Sequence, residues 1–286
     1  MLFDLQSPGR RRVIKVVYAT LAVLFFVGFV GFGVGNNVGG GGILDAITGG
    51  GGGGDDNPFE DEINSAEEKI QTNPKDEKAY LDLIQARIAT AGTKADVDED
   101  TGQAVPNSDA GDEAAKAVDA WNRYVKVAKK PDPATAGQIA NQYFLAQGIV
   151  VVQGGQLAVA FGQPTVFDAQ SAAKGAASAQ AILAADQPGQ NTLATLSLYA
   201  HYAGDTAQAQ QAEQKALALT KSPDEKKQLE KLFAAYAQIG ETLDKAVKKA
   251  NKEQAAGGGT AGGAGLESIG GGLSGGGGSG TGIVAP

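Results

Sequence analysis

The chain has 286 residues, a formal net charge of −8 and only 6% aromatic residues. It contains no cysteine and a single histidine, His201, which excludes disulfides, Cys-ligated zinc, iron–sulfur clusters, thiol catalysis, a lipidated anchor cysteine and paired-histidine sites. Arg10, Arg11, Arg12 and Lys15 against Asp4 give the first fifteen residues a net +3, so the remainder carries −11; an acidic body is a poor match for nucleic-acid phosphates.

The first predicted element follows a basic segment, 1–12. Residues 13–35 read VIKVVYATLAVLFFVGFVGFGVG, with Lys15 as the only charge. As a helix this run spans about 35 Å, against a hydrocarbon core of about 30 Å. Lys15 lies at the edge, where its stem reaches the headgroups. The triple arginine before it belongs on the cytoplasmic side. A cleaved signal peptide is the competing explanation. The apolar run is longer than a signal core, however, and the following NNVGGGG has no A-x-A cleavage site. The expectation is an uncleaved single-pass anchor in a bacterial cytoplasmic membrane, N-terminus inside and the rest outside. Gly31 and Gly35 form a G-x-x-x-G pair, but at the membrane exit this reads as tolerated glycine rather than as a helix-pairing seam.

Residues 36–56, NNVGGGGILDAITGGGGGGDD, predict a flexible glycine linker holding the next domain about 25 Å from the bilayer on average. The short apolar island at 43–47 reads as linker, with contact to the membrane surface as the alternative.

The foldable part is 57–254. Its prolines act as punctuation, and none of the chain's ten falls inside a helical pattern. Asn57-Pro58, Asn73-Pro74, Asp132-Pro133 and Ser222-Pro223 each pair a capping side chain with a first-turn proline, and Ser222 with Glu225 spells a capping box. Between these starts apolar residues recur at helical spacing. The first face is Phe59, Ile63, Ala66, Ile70, and the second Leu83, Ile84, Ile88, Ala91. Ala117, Trp121 and Tyr124 mark a third helix; Ile139, Tyr143, Ala146 and Val150 mark a fourth. Phe167 to Leu183, Leu193 to Tyr202 and Ala209 to Leu219 supply three more. The eighth stripe is Leu229, Leu232, Phe233, Tyr236, Ile239, Leu243, Val247. Lys245, Lys248, Lys249 and Lys252 near its end suit the negative pole of the helix dipole. No strand is expected; the β-branched run at 149–152 is read as the end of the fourth helix. The fold class is therefore all-α.

An acidic insert, 92–109, separates the second and third helices. Asp96, Asp98 and Asp100 followed by Gly102 resemble a calcium loop, but the glycine is one place late and Asn107 occupies the position of the bidentate glutamate. Asp96, Asp98 and Asp100, with Asp109 and Asp112, are thus the metal candidates against a plain solvated acidic loop. The tail, 255–286, is Gly-rich and expected to be disordered. Its glycine runs lack the Lys-Ser/Thr and strand–helix setting of a phosphate loop.

The stretch 191–221 resembles a tetratricopeptide repeat (TPR). Leu193 and Leu196 stand at the large positions of its first helix and Ser197 at the small one. Gly204-Asp205 falls at the turn, Ala209 and Ala216 at the small positions of the second helix, and KALAL at its end. The departures are Ala200 for an aromatic, Glu213 for a bulky residue, and Pro223 two places late. Small residues allow close helix approach and the glycine permits the turn. Upstream, Ala117, Trp121, Tyr124 and Pro131 mirror a second helix. The resemblance implies an antiparallel helix-pair array over roughly 74–254 with the last helix as the polar-backed cap that such arrays require. It also implies a ligand groove lined by first helices. In the last repeat that groove carries Asn191, Ala194, Leu198, His201 and Tyr202. Its family function is protein binding, so the expectation is a membrane-tethered scaffold or adaptor, with no catalysis, no cofactor, and other proteins rather than nucleic acid or small molecules as partners. Assisting envelope assembly and handling secreted chains both fit. The competing classes are a metal-dependent envelope enzyme or enzyme subunit using the acidic insert, and a structural wall-spanning protein.

Overall fold

The computed structural model describes residues 57–97, 104–153 and 156–255. The expected anchor at 13–35, the linker and nearly all of the tail lie outside the described residues. Among those described, no helix is long and apolar enough to cross a membrane.

Among the described residues there are eight helices, one for each apolar stripe: α1 (Glu60–Thr72), α2 (Glu77–Lys94), α3 (Ser108–Val127), α4 (Pro133–Gln147), α5 (Val166–Asp186), α6 (Gln190–Ala203), α7 (Thr206–Leu219) and α8 (Pro223–Ala255). From α1 to α7, each helix packs on its neighbour in the chain. Large side chains such as Ile84, Tyr124 and Ile139 fill the centre. Alanines dominate the seams, most of all on α5, where Ala169, Ala172, Ala173, Ala176 and Ala177 are buried. With a methyl group at each contact, neighbouring helix axes approach closely.

The starts are capped much as their sequences suggest. Asp132 accepts from Thr135 N–H at 2.7 Å, with Pro133 in the first turn. Asp205 accepts from Gln208 N–H at 2.9 Å. Between α6 and α7, Gly204 takes the left-handed conformation at φ 79°. Asp205 N–H donates to Ala200 O and Gly204 N–H to His201 O, the paired closure of a Schellman turn. Two starts differ. Asn73-Pro74 opens a turn, and the cap of α2 is Asp76, which accepts from Ala79 N–H. Of the Ser222–Glu225 box only one half is found, Glu225 N–H to Ser222 Oγ at 3.4 Å, whereas Thr165 and Asp168 close a complete box at α5.

Two antiparallel hairpins correct the expectation of no strands. The β-branched run does not extend the fourth helix: α4 stops at Gln147, Gly148 turns at φ 92°, and β3 (Ile149–Gln153) pairs with β4 (Gln156–Phe161). A residue with a Cβ is strained at that φ, so the helix ends where glycine permits. Beyond it, Ile-Val-Val-Val favours the pleated backbone, and Gly154-Gly155 is a two-residue hairpin spacing in the sequence. In the acidic insert, β1 (Asp96–Val97) pairs with β2 (Ala104–Val105).

The last helix also sits differently from a simple terminal cap. Its main neighbour is α6, two helices back, and it continues over α5, α7 and β4. Leu243, Ala246, Val247 and Ala250 form a second core with Val150, Val166 and Ala169. At the crossing, a Cβ on Gly240 would lie 2.6 Å from His201 O.

Candidate protein-binding face

Alternate helices α2, α4 and α6 are joined by side chains, from the exposed Gln138 to the buried Tyr199. Gln85 Nε2 on α2 donates to Gln138 Oε1 on α4 at 2.6 Å. Tyr199 OH on α6 donates to Asn141 Oδ1 on α4 at 2.7 Å. The Phe144 ring stacks at a tilt on Tyr199, with centroids 5.2 Å apart, and edge-on to Tyr202 at 6.4 Å. Burial pushes the Tyr199 phenol above its ordinary pKa, with nearby Tyr236 adding to the shift. Burial and Tyr236 act in the same order on Tyr202, pushed up to about 12. Both rings are therefore neutral hydrogen-bonding groups throughout the physiological range.

The five groove positions of α6 divide. Asn191 is exposed and Tyr202 half-buried, whereas Ala194, Leu198 and His201 are buried. Burial of the last three accompanies the packing of α8 on α6: Leu198, Phe233 and Tyr236 share one core cluster. The face that stays more open is built by α2 and α4. Lys78 and Gln138 are exposed, and Gln85, Asn141 and Leu145 are half-buried. None of these was singled out from sequence. The only available signal is the helical spacing of Gln138, Asn141 and Leu145, which share one side of α4.

His201 belongs to a polar cluster. Its Nε2 lies 2.8 Å from Glu213 Oε1, and the same oxygen accepts from Ser197 Oγ at 2.9 Å. Glu213 stands where the resembled family places a bulky residue, and Ser197 stands at its small position. In this chain a carboxylate reaching into the α6–α7 seam, with two partners there, replaces apolar filling.

Asn107 organises the described ends of the acidic insert. Asn107 caps α3, its Oδ1 accepting from Ala110 N–H at 2.9 Å. Its Nδ2 donates to Lys94 O and to Asp96 Oδ1, at 2.7 and 3.0 Å. The oxygen placed at the last calcium-loop position is thus occupied as a helix cap, and Asp96 lies in a strand. Asp109 and Asp112 are exposed on α3, and Asp98 and Asp100 lie outside the described residues. Among the described residues no three acidic or histidine side chains cluster as a metal site.

One ion-pair network ties the first three helices. Arg87 on α2 bonds Glu67 on α1 and Glu113 on α3, both at 2.9 Å, and Lys116 bonds Glu113 at 2.6 Å. Burial pushes the Glu113 carboxyl up, but the hydrogen bonds from Lys116 and Arg87 and their charges outweigh it and hold it below the usual carboxylate range.

No family model, curated protein or solved structure matches the chain.

Proposed function

We propose that the chain is a membrane-tethered scaffold or adaptor, whose TPR-like helical body stands outside the cytoplasm and binds other proteins along the α2–α4 face. The observation that carries this is the lateral joining of α2, α4 and α6 through Gln85–Gln138, Asn141–Tyr199 and Phe144. Joined helices offer a broad, preorganised surface, and preorganisation reduces the cost of binding. Amide groups beside Leu145 suit an extended peptide, whose main chain both donates and accepts. Tethering through 13–35 adds effective concentration toward membrane complexes.

The test is site-specific photo-crosslinking in living cells, with the reactive residue at Gln138 or Leu145 and a control at Asp119, which is exposed on α3. The expected result is the same protein captured from both face positions and absent from the control. Equal capture at all three, or none at Gln138 and Leu145, rejects the face.

A further inference from the structure

On the opposite side of the array, α3 and α5 stand apart over α4 and leave a cleft of about 510 Å³. Its walls are Val118, Trp121 and Val125 of α3 and Ile182 of α5, with Tyr143 of α4 between them. The Tyr143 ring lies against Gly175, where any Cβ would overlap it, and the ring is held by its hydroxyl donating to Asn122 Oδ1 at 2.8 Å. Among the described residues, Lys174 is the one charged residue lining the cleft. It is exposed and makes no ion pair among the described residues. The cleft thus has apolar walls and a polar rim, with Asn122, Ser171 and Ser178 exposed beside a single cation.

We propose that this slot is the docking site for the chain's own segment 266–269, Leu-Glu-Ser-Ile. The match is in charge and in apolar pattern. Glu267 is the only charged residue between 256 and 286, and Leu266 and Ile269 are large apolar residues standing in a stretch made mostly of glycine. One anion flanked by two aliphatic side chains complements one cation beside an aliphatic and aromatic slot. The reach also fits. Ala250 packs with Val166 and Ala169, so α8 brings the chain to the start of α5, the helix that carries Lys174. From Ala255 to Leu266 the backbone spans up to about 37 Å. Along α5, Val166 to Lys174 is only about 12 Å. A tethered segment needs little intrinsic affinity to occupy such a site. This proposal stands apart from the α2–α4 face, and its test reads a different side of the molecule.

Trp121 itself is only 3% exposed, so the probe is placed on the rim: the chain has no cysteine, and a fluorophore on Ser178→Cys, an exposed residue lining the cleft, reports on the cleft alone. The experiment uses the full chain in lipid nanodiscs, with acrylamide quenching of that fluorophore as the readout. Leu266→Asp with Ile269→Asp is expected to raise quenching about twofold, and a synthetic peptide of residues 262–275 added to that variant is expected to reverse it. Lys174→Glu in the same tail-disabled background is expected to weaken the peptide about 2- to 5-fold, the scale of an exposed ion pair, and a Glu267→Lys peptide to restore binding to Lys174→Glu. Unchanged quenching in the tail variant overturns the proposal, and so does failure of the charge-reversed pair to recover. Quenching that depends on protein concentration assigns the slot to another copy's tail and overturns docking within one chain.

Discussion

Glu213 shows how a single side chain can depart from a pattern and still be accommodated. It stands in the position of a bulky residue, and its carboxylate accepts from Ser197, which has no exposed surface, and meets the buried His201 ring. Glu213→Ala strips both of their acceptor, and an orphaned buried polar group costs about 1–3 kcal/mol. Urea denaturation of the variant is expected to show a loss of that size; no loss would mean that the cluster is incidental to the seam. Arg87 is the other residue on which much depends, since it holds Glu67 and Glu113 together from the middle helix. Glu113 has a folded-state pKa below its ordinary value, so its contribution is present above the ordinary carboxylate range and disappears as pH falls through the depressed value. Arg87→Ala is expected to cost about 2–3 kcal/mol at neutral pH, since it leaves a largely buried carboxylate with Lys116 alone. The stability curves of wild type and variant are expected to converge as the solution is acidified below the carboxylate range. A gap that stays constant with pH would place the loss in packing instead.

At the scale of elements, Gly240 sets two opposing effects against each other. In a helix interior glycine is about 1 kcal/mol worse than alanine, so propensity alone predicts that Gly240→Ala stabilises α8. The added Cβ, however, falls 2.6 Å from a backbone carbonyl, His201 O. Backbone cannot swing aside as a side-chain tip does, and overpacking of this kind costs about 1–3 kcal/mol. Packing wins, and thermal melting is expected to show a lowered Tm; a raised Tm would mean that α8 is held less closely to α6. The β3–β4 hairpin illustrates the same competition between local and non-local terms. Val150 fits the helical spacing of Ile139, Tyr143 and Ala146, and periodicity favours helix. It is buried all the same, but from a strand and against α8. A short apolar run is compatible with either backbone, and Gly148 at φ 92° decides between them.

For the whole molecule, the consequence is a body with two unlike sides, an amide-bearing α2–α4 face and an apolar slot between α3 and α5. If residues 13–35 anchor it and the triple arginine stays inside, everything from 36 onward is outside. Protease added to cells whose outer envelope admits it is expected to cut the two Gly-rich segments and release a resistant fragment of about 57–255. The described helices bury their backbone in stacked contacts, whereas sequence rich in small residues is a preferred site of nicking. Full protection in those cells contradicts the orientation.

The eight described helices and two of the four cap-and-proline starts, Asp132-Pro133 and Ser222-Pro223, were legible in the sequence because they depend on local terms: apolar spacing every three to four residues, a capping side chain and a proline at the first turn. Phe233, Tyr236, Leu243 and Val247 mark the buried stripe of α8 as plainly in the sequence as in the fold. What that stripe is buried against was not legible. That α8 lies across α6, closing Leu198 and His201 from solvent and leaving the open face to α2 and α4, depends on shape matches between segments dozens of residues apart, such as Gly240 with His201. Local pattern says that a surface must be covered; only the tertiary structure decides by what, because the free energy of covering it belongs to the pair and not to either segment alone.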